Sequence, residues 1–169
     1  MNNSHKINRR SHFTALQSVL FFIAFIVISF GLLFYFNNDS TYFIERVLGG
    51  ISIFIIGPSL YLHFCYYLEN KDLLITGLDE SLAIEDTKSN KKWILSNETI
   101  LSIDIYAAPE MINYGAAGGM LHLTYHYAII KTKDQEFILT SLLYPYLMDI
   151  KFKFIEVKVN YHKTIFALI

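Results

Sequence analysis

Charge is scarce in this chain, and the scarcity is local. Asp, Glu, Lys and Arg supply 17% of the 169 residues, below the roughly 25% usual for globular domains. Residues 15–36 contain none of the four, and neither do residues 47–68. A single cysteine, Cys65, rules out a disulfide framework within one chain. The net charge of −1 provides no field to recommend nucleic acid as a partner. The carboxylates are scattered and unpaired, and no nucleophile stands at a readable spacing from a base. An enzyme is therefore disfavoured, and no cofactor or metal motif replaces it.

What the chain has instead is apolar length. Its residues are 53% hydrophobic, and its mean hydropathy is +0.35. As a helix, residues 15–36 would extend roughly 33 Å, enough for a hydrocarbon core of about 30 Å. Residues 47–68 form a second run of similar length. Both therefore predict transmembrane helices, since a helix satisfies its own backbone in lipid. A cleaved signal peptide is the competing reading of the first run, with Lys6, Arg9 and Arg10 as its basic start. The run is too long for that, and no small-residue cleavage site follows Phe36.

Lys6, Arg9 and Arg10 precede the first run, and Lys71 follows the second. The connecting residues 37–45 carry no Lys or Arg. The positive-inside rule thus places both termini on the cytoplasmic side of the membrane, as an antiparallel hairpin, and a composition rich in Ile, Asn, Phe and Tyr with Lys well above Arg suggests a bacterial inner membrane. Gly49, Gly50, Gly57 and Pro58 lie in the second run. Glycines there permit close helix packing, within the hairpin or with another subunit, and proline predicts a kink. His63 and Cys65 fall near the cytoplasmic end, where His63 is close enough to the interface to be hydrated.

From residue 70 the pattern changes to short alternating runs. Strands are predicted at residues 73–76, 81–85, 92–95, 101–105, 123–131 and 136–140. The last two are joined by a turn at Lys133 and Asp134. The final segment is ambiguous. Ile150, Phe152 and Phe154 alternate as in a strand, yet Leu143, Leu147, Ile150, Phe154, Val157 and Tyr161 recur at helical spacing. The longer helical spacing predicts a C-terminal helix. The division is a basic flank at 1–14, helices at 15–36 and 47–68, a loop at 37–46 between them, and a domain at 70–169.

This order resembles the bacterial membrane-anchored pleckstrin-homology-like proteins. The carrying residues are D-L-L-I-T at 72–76, W-I-L at 93–95, I-L-S-I-D-I at 100–105 and the run from Tyr127 to Thr140. The resemblance implies a soluble α+β domain: a PH-like antiparallel β-barrel or sandwich closed by a C-terminal amphipathic helix. It also implies binding to lipid headgroups or to protein rather than catalysis.

Three sites compete within that frame. Lys88, Lys91 and Lys92 crowd one turn and are the candidate contact for membrane lipid, although Glu80, Glu85 and Asp86 dilute their field. Pro109, Met111, Ile112 and Tyr114 make the loop at 109–120 apolar and mark a candidate contact for a protein partner. His122 and His126 fall on a predicted strand about 13 Å apart, too far for one zinc ion. Gly115, Gly118 and Gly119 lack the Lys-Ser/Thr of a phosphate loop. Trp93 reads as a core anchor. The function expected is a non-enzymatic inner-membrane binding or scaffold protein, with a membrane-associated protein or lipid as partner. The alternative is a small immunity protein that neutralises a membrane-acting toxin.

Overall fold

Asn8 divides the first extended segment from the first helix. Its Oδ1 accepts the N–H groups of Arg10 and Ser11 at 2.9 and 3.1 Å, while its own N–H reaches Ser11 Oγ at 3.4 Å. This reciprocal cap satisfies donors that have no partner inside the helix. Replacing Asn8 by alanine should cost about 1 kcal/mol, read as a lower midpoint in thermal unfolding.

The computed structural model describes residues 3–36, 41–78, 80–114 and 121–169. Strand β1 (Asn3–Lys6) leads into helix α1 (Arg9–Phe36), and α2 (Thr41–Asn70) follows. Five strands come next: β2 (Leu73–Gly77), β3 (Leu82–Asp86), β4 (Lys91–Leu95), β5 (Ile100–Ala107) and, after α3 (Pro109–Tyr114), β6 (Tyr127–Thr132). The chain ends with β7 (Glu136–Thr140), the short α4 (Ile150–Lys153) and β8 (Lys158–Lys163).

The strands make two four-stranded sheets. One is antiparallel in the order β1-β2-β3-β4, and the other is mixed in the order β7-β6-β5-β8, with β8 parallel to β5. Alternation decides what each strand buries. Ile75, Leu82, Ile84 and Leu95 of the first sheet share a core with Ile103, Ile105, Ala128, Ile130 and Leu139 of the second. Leu143, Leu147, Ile150 and Phe154 close it. Trp93 packs at the edge of this core, its ring 5.3 Å from Phe137.

Five of the six predicted strands are present near their expected bounds, while the run at 123–131 divides into a 3-10 turn, Leu121–Thr124, and β6. The architecture differs from the expectation in two further respects. The C-terminal amphipathic helix is replaced by a turn of α4 and strand β8. The helical spacing of Leu147, Ile150 and Phe154 reflects their shared burial around α4, after which Val159 turns inward as an ordinary strand residue. The expectation of two transmembrane helices is likewise corrected. Among the described residues no single helix is long and apolar enough to cross a membrane. Helix α1 bends by 53° between Arg9–Gln17 and Val19–Leu32, and only the two portions together have the required length and composition. The second predicted span ends as a packing helix, because Ser59, Leu62, His63 and Tyr66 of α2 are buried in the protein. The multi-pass inner-membrane placement falls with the spans on which it stood.

Two boundaries also move. The predicted loop at 37–46 contains the start of α2 at Thr41, and the basic flank at 1–14 contains β1 and the first turns of α1.

Candidate functional site

The two faces of α2 contrast in an unusual way. One face, spaced at three and four residues, is Ser59, Leu62, His63, Tyr66 and Asn70, and all five are buried. Four of the five, Ser59, His63, Tyr66 and Asn70, carry polar side-chain atoms. Tyr66 donates to the carbonyl of Ala167 at 2.8 Å. His63 Nε2 lies 2.8 Å from His12 Nδ1, and His63 Nδ1 lies 3.0 Å from the Tyr125 hydroxyl. Burial lowers the pKa of His63, and the neighbouring His12 adds to the effect. A neutral His63 can then donate one hydrogen bond and accept the other, which fastens α1 and the loop before β6 to the same turn of α2.

Asn70, the last residue of α2, acts as a substitute strand. Its Nδ2 donates to the Ile138 carbonyl, and its Oδ1 accepts the Thr140 N–H, both at 2.8 Å. These are outward-facing ladder groups of β7, an edge strand. The helix is thereby locked to the sheet at a defined height.

The opposite face is apolar and uncovered. Gly50, Ile53, Phe54, Gly57, Tyr61 and Phe64 recur at the same helical spacing. Ile53, Phe54, Tyr61 and Phe64 are 73%, 81%, 60% and 59% exposed. A Cβ added at Gly49, Gly50 or Gly57 would meet nothing within 4 Å beyond the helix itself, among the described residues. Pro58 lies within α2, next to the buried Ser59. On α1, Phe21, Phe25 and Ile28 are similarly exposed.

A second polar arrangement lies on the outer face of the mixed sheet. Asp104 on β5 is 7% exposed and receives Asn160 Nδ2 at 2.8 Å and His162 Nε2 at 3.2 Å on Oδ1. Lys131 Nζ sits 3.0 Å from Oδ2. Burial alone would raise this carboxyl's pKa, but the hydrogen bonds from Asn160, Lys131 and His162 outweigh it and hold the value at about 2. Beside it, Tyr106 is stacked between Tyr127 and His162, with ring centroids 4.8 and 4.5 Å away. The carboxylate thus ties β5, β6 and β8 together.

The residues singled out in the sequence are not brought into one site. Lys91 and Lys92 stand opposite Asp86 and Glu85 on the neighbouring strand. The Asp86 carboxylate also accepts the Lys88 and Ser89 N–H groups and the Ser89 hydroxyl. Those bonds, the Ser89 hydroxyl foremost, lower its pKa. The turn is thus organised around a carboxylate as well as around lysines, and Asn90 supplies its left-handed residue at φ 55°. Pro109, Met111, Ile112 and Tyr114 form α3 rather than an open loop. Met111 and Ile112 pack on the core, while Tyr114 is 81% exposed. Gly115, Gly118 and Gly119 lie outside the described residues. His122 is in a 3-10 turn, Leu121–Thr124, and His126 precedes β6, so the single strand expected to carry both is not formed. The outward face of α2 was missed because the run at 47–68 is apolar throughout. The signal lay in its few polar residues, Ser59 and His63, which share one face and mark it as the inner one.

Comparisons with protein-family models, with curated proteins and with solved structures found no match.

Proposed function

We propose that this chain is a non-catalytic binding or scaffold protein, which docks a partner protein on the outward face of α2. The observation that carries this reading is the reversal of polarity on that helix. Ser59, His63 and Asn70 are turned inward, whereas Ile53, Phe54 and Phe64 are turned out. Exposed apolar surface on this scale marks a place of interaction. The open glycines at 50 and 57 leave room for another backbone to approach between the protruding rings. Asn70 and the His12–His63–Tyr125 chain fix that face relative to the two sheets, as a scaffold requires.

The test is site-specific photo-crosslinking in the cells that produce the full chain. A photoreactive residue at Phe54 is expected to give a discrete protein adduct, and the same residue at Ile94, which is 58% exposed on β4, is not. Gly57→Leu should leave unfolding unchanged or raise stability by up to about 1 kcal/mol, since leucine is the better helix former. It should also reduce the Phe54 adduct several-fold by filling the groove. Equal labelling at Phe54 and Ile94, or an adduct indifferent to Gly57→Leu, would refute the proposal.

A further inference from the structure

Residues 47–68 hold no charged side chain, so what α2 turns outward is sorted by size. Gly50, Phe54, Gly57 and Tyr61 follow one another along the helix, and at 3.6 residues per turn they fall within roughly 60° of arc. The stripe therefore alternates small, large, small, large. Phe54 and Tyr61 protrude, at 81% and 60% exposure. Gly57 is exposed and Gly50 half-buried, and a Cβ added at either would meet nothing within 4 Å beyond the helix itself, among the described residues. Each ring stands next to a notch.

That order is self-complementary. When a second copy of α2 is laid against the first in the opposite direction, about a twofold axis between residues 55 and 56, Phe54 meets Gly57 and Tyr61 meets Gly50. Every ring then faces a glycine, in both directions. Laid in the same direction, rings would meet rings and glycines glycines, with clashes beside voids. Antiparallel helices also set their dipoles head to tail, and with no charge in either stripe nothing repels. The area agrees. At about 200 Å² per large apolar side chain, the exposed fractions of Ile53, Phe54, Tyr61 and Phe64 leave roughly 500 Å² on each copy. Leu60 and Leu68, 45% and 47% exposed on the same stripe, bring this to roughly 700 Å². A standard interface buries about 800 Å² per partner.

We propose that the partner docked on α2 is a second copy of this chain, joined as a twofold antiparallel dimer in which Phe54 fills the notch at Gly57 and Tyr61 the notch at Gly50. The inference rests on the docking reading of the same face and adds the identity of the occupant. Because both copies offer the same patch, the contact closes on itself and stops at two. The buried stripe of α2, from Ser59 to Asn70, lies on the other side of the helix and keeps its bonds to the sheet and to α1.

Analytical ultracentrifugation of the purified full chain should give a species of twice its 19.6 kDa and no larger series. Phe54→Glu, which sets a carboxylate against each notch, should weaken the dimer about a hundredfold or more. Ile94→Glu on β4, where the side chain is 58% exposed, should leave it unchanged. Gly57→Phe should break the dimer by setting ring against ring, and combining it with Phe54→Gly should restore it by exchanging ring and notch. Crosslinking fixes the direction. A photoreactive residue at Tyr61 should attach near Gly50 of the second copy, as located by mass spectrometry of the adduct of twice the chain mass. A monomer, an open-ended series of oligomers, tighter association in Gly57→Phe, or attachment near Tyr61 of the second copy would overturn the proposal. A Phe54 adduct of any other mass would overturn it while the docking reading stood, since the occupant would be a different protein. No adduct at Phe54 would remove both.

Discussion

Asn70→Ala is expected to lower the free energy of unfolding by about 4 kcal/mol, a loss reserved for a few mechanisms. Alanine strands two backbone groups on the edge of β7, the Ile138 carbonyl and the Thr140 N–H, which Asn70 now satisfies at 2.8 Å each. An unsatisfied buried group costs about 1–3 kcal/mol, and here there are two. Asn70 and Thr140 are fully buried and Ile138 is half-buried, so water compensates the Ile138 carbonyl in part and the Thr140 N–H little. Asn70→Asp provides the control. At neutral pH it presents a carboxylate to a carbonyl oxygen and should be at least as unstable as alanine. On acidification a protonated Asp regains the donor, and part of the stability should return. Denaturant unfolding followed by circular dichroism reads both. An alanine variant within about 1 kcal/mol of the parent would show that β7 does not depend on the helix.

Asp104→Ala should cost about 2 kcal/mol and change the pH profile of stability. The carboxyl is held at about 2 against an ordinary 3.8, and a difference of that size is worth about 2 kcal/mol. The sign follows from the lowered value. The contribution is fully present above the unfolded value of 3.8, and it is lost as the pH falls through about 2. Thermal unfolding between those limits should slope steeply in the parent and weakly in the variant. A separate window lies higher. His5, His63 and His126 all have lowered values against an ordinary 6.5, each chiefly through burial. The unfolded chain therefore binds protons that the folded chain refuses, and stability should decline as the pH drops below 6.5 in both proteins. If Asp104→Ala kept the full acid slope below pH 3.8, the carboxylate would not be the tie between β5, β6 and β8.

Local alternation was enough to place β2 to β5 and β7, because each has apolar residues on the inner face and turn residues at its ends, whereas β6 starts four residues later than the apolar run at 123–131 suggests. It failed where pairing, rather than pattern, makes the strand. β1 reads Asn-Ser-His-Lys and contains no apolar residue. It is a strand only because the edge of β2 offers it a ladder from Lys6 to Asn3. β8 was obscured because Ile150 and Phe154, buried around α4, share a spacing with Val157 and Tyr161 that continues as if helical. Spacing alone does not distinguish one turn of helix followed by a strand from a longer helix.

The insertion of a long helical pair between β1 and β2 has consequences for how the molecule must be handled and how it assembles. The first sheet acquires its outer strand only after α1 and α2 have turned back, so that step waits on closure of a large loop. A fragment cut at residue 70, where the chain seems to invite division, would leave β2 with a bare edge and would place Asn70 at a fraying end. Such a fragment should self-associate through that edge, and adding residues 3–8 as a separate peptide should suppress the association by restoring the missing rung.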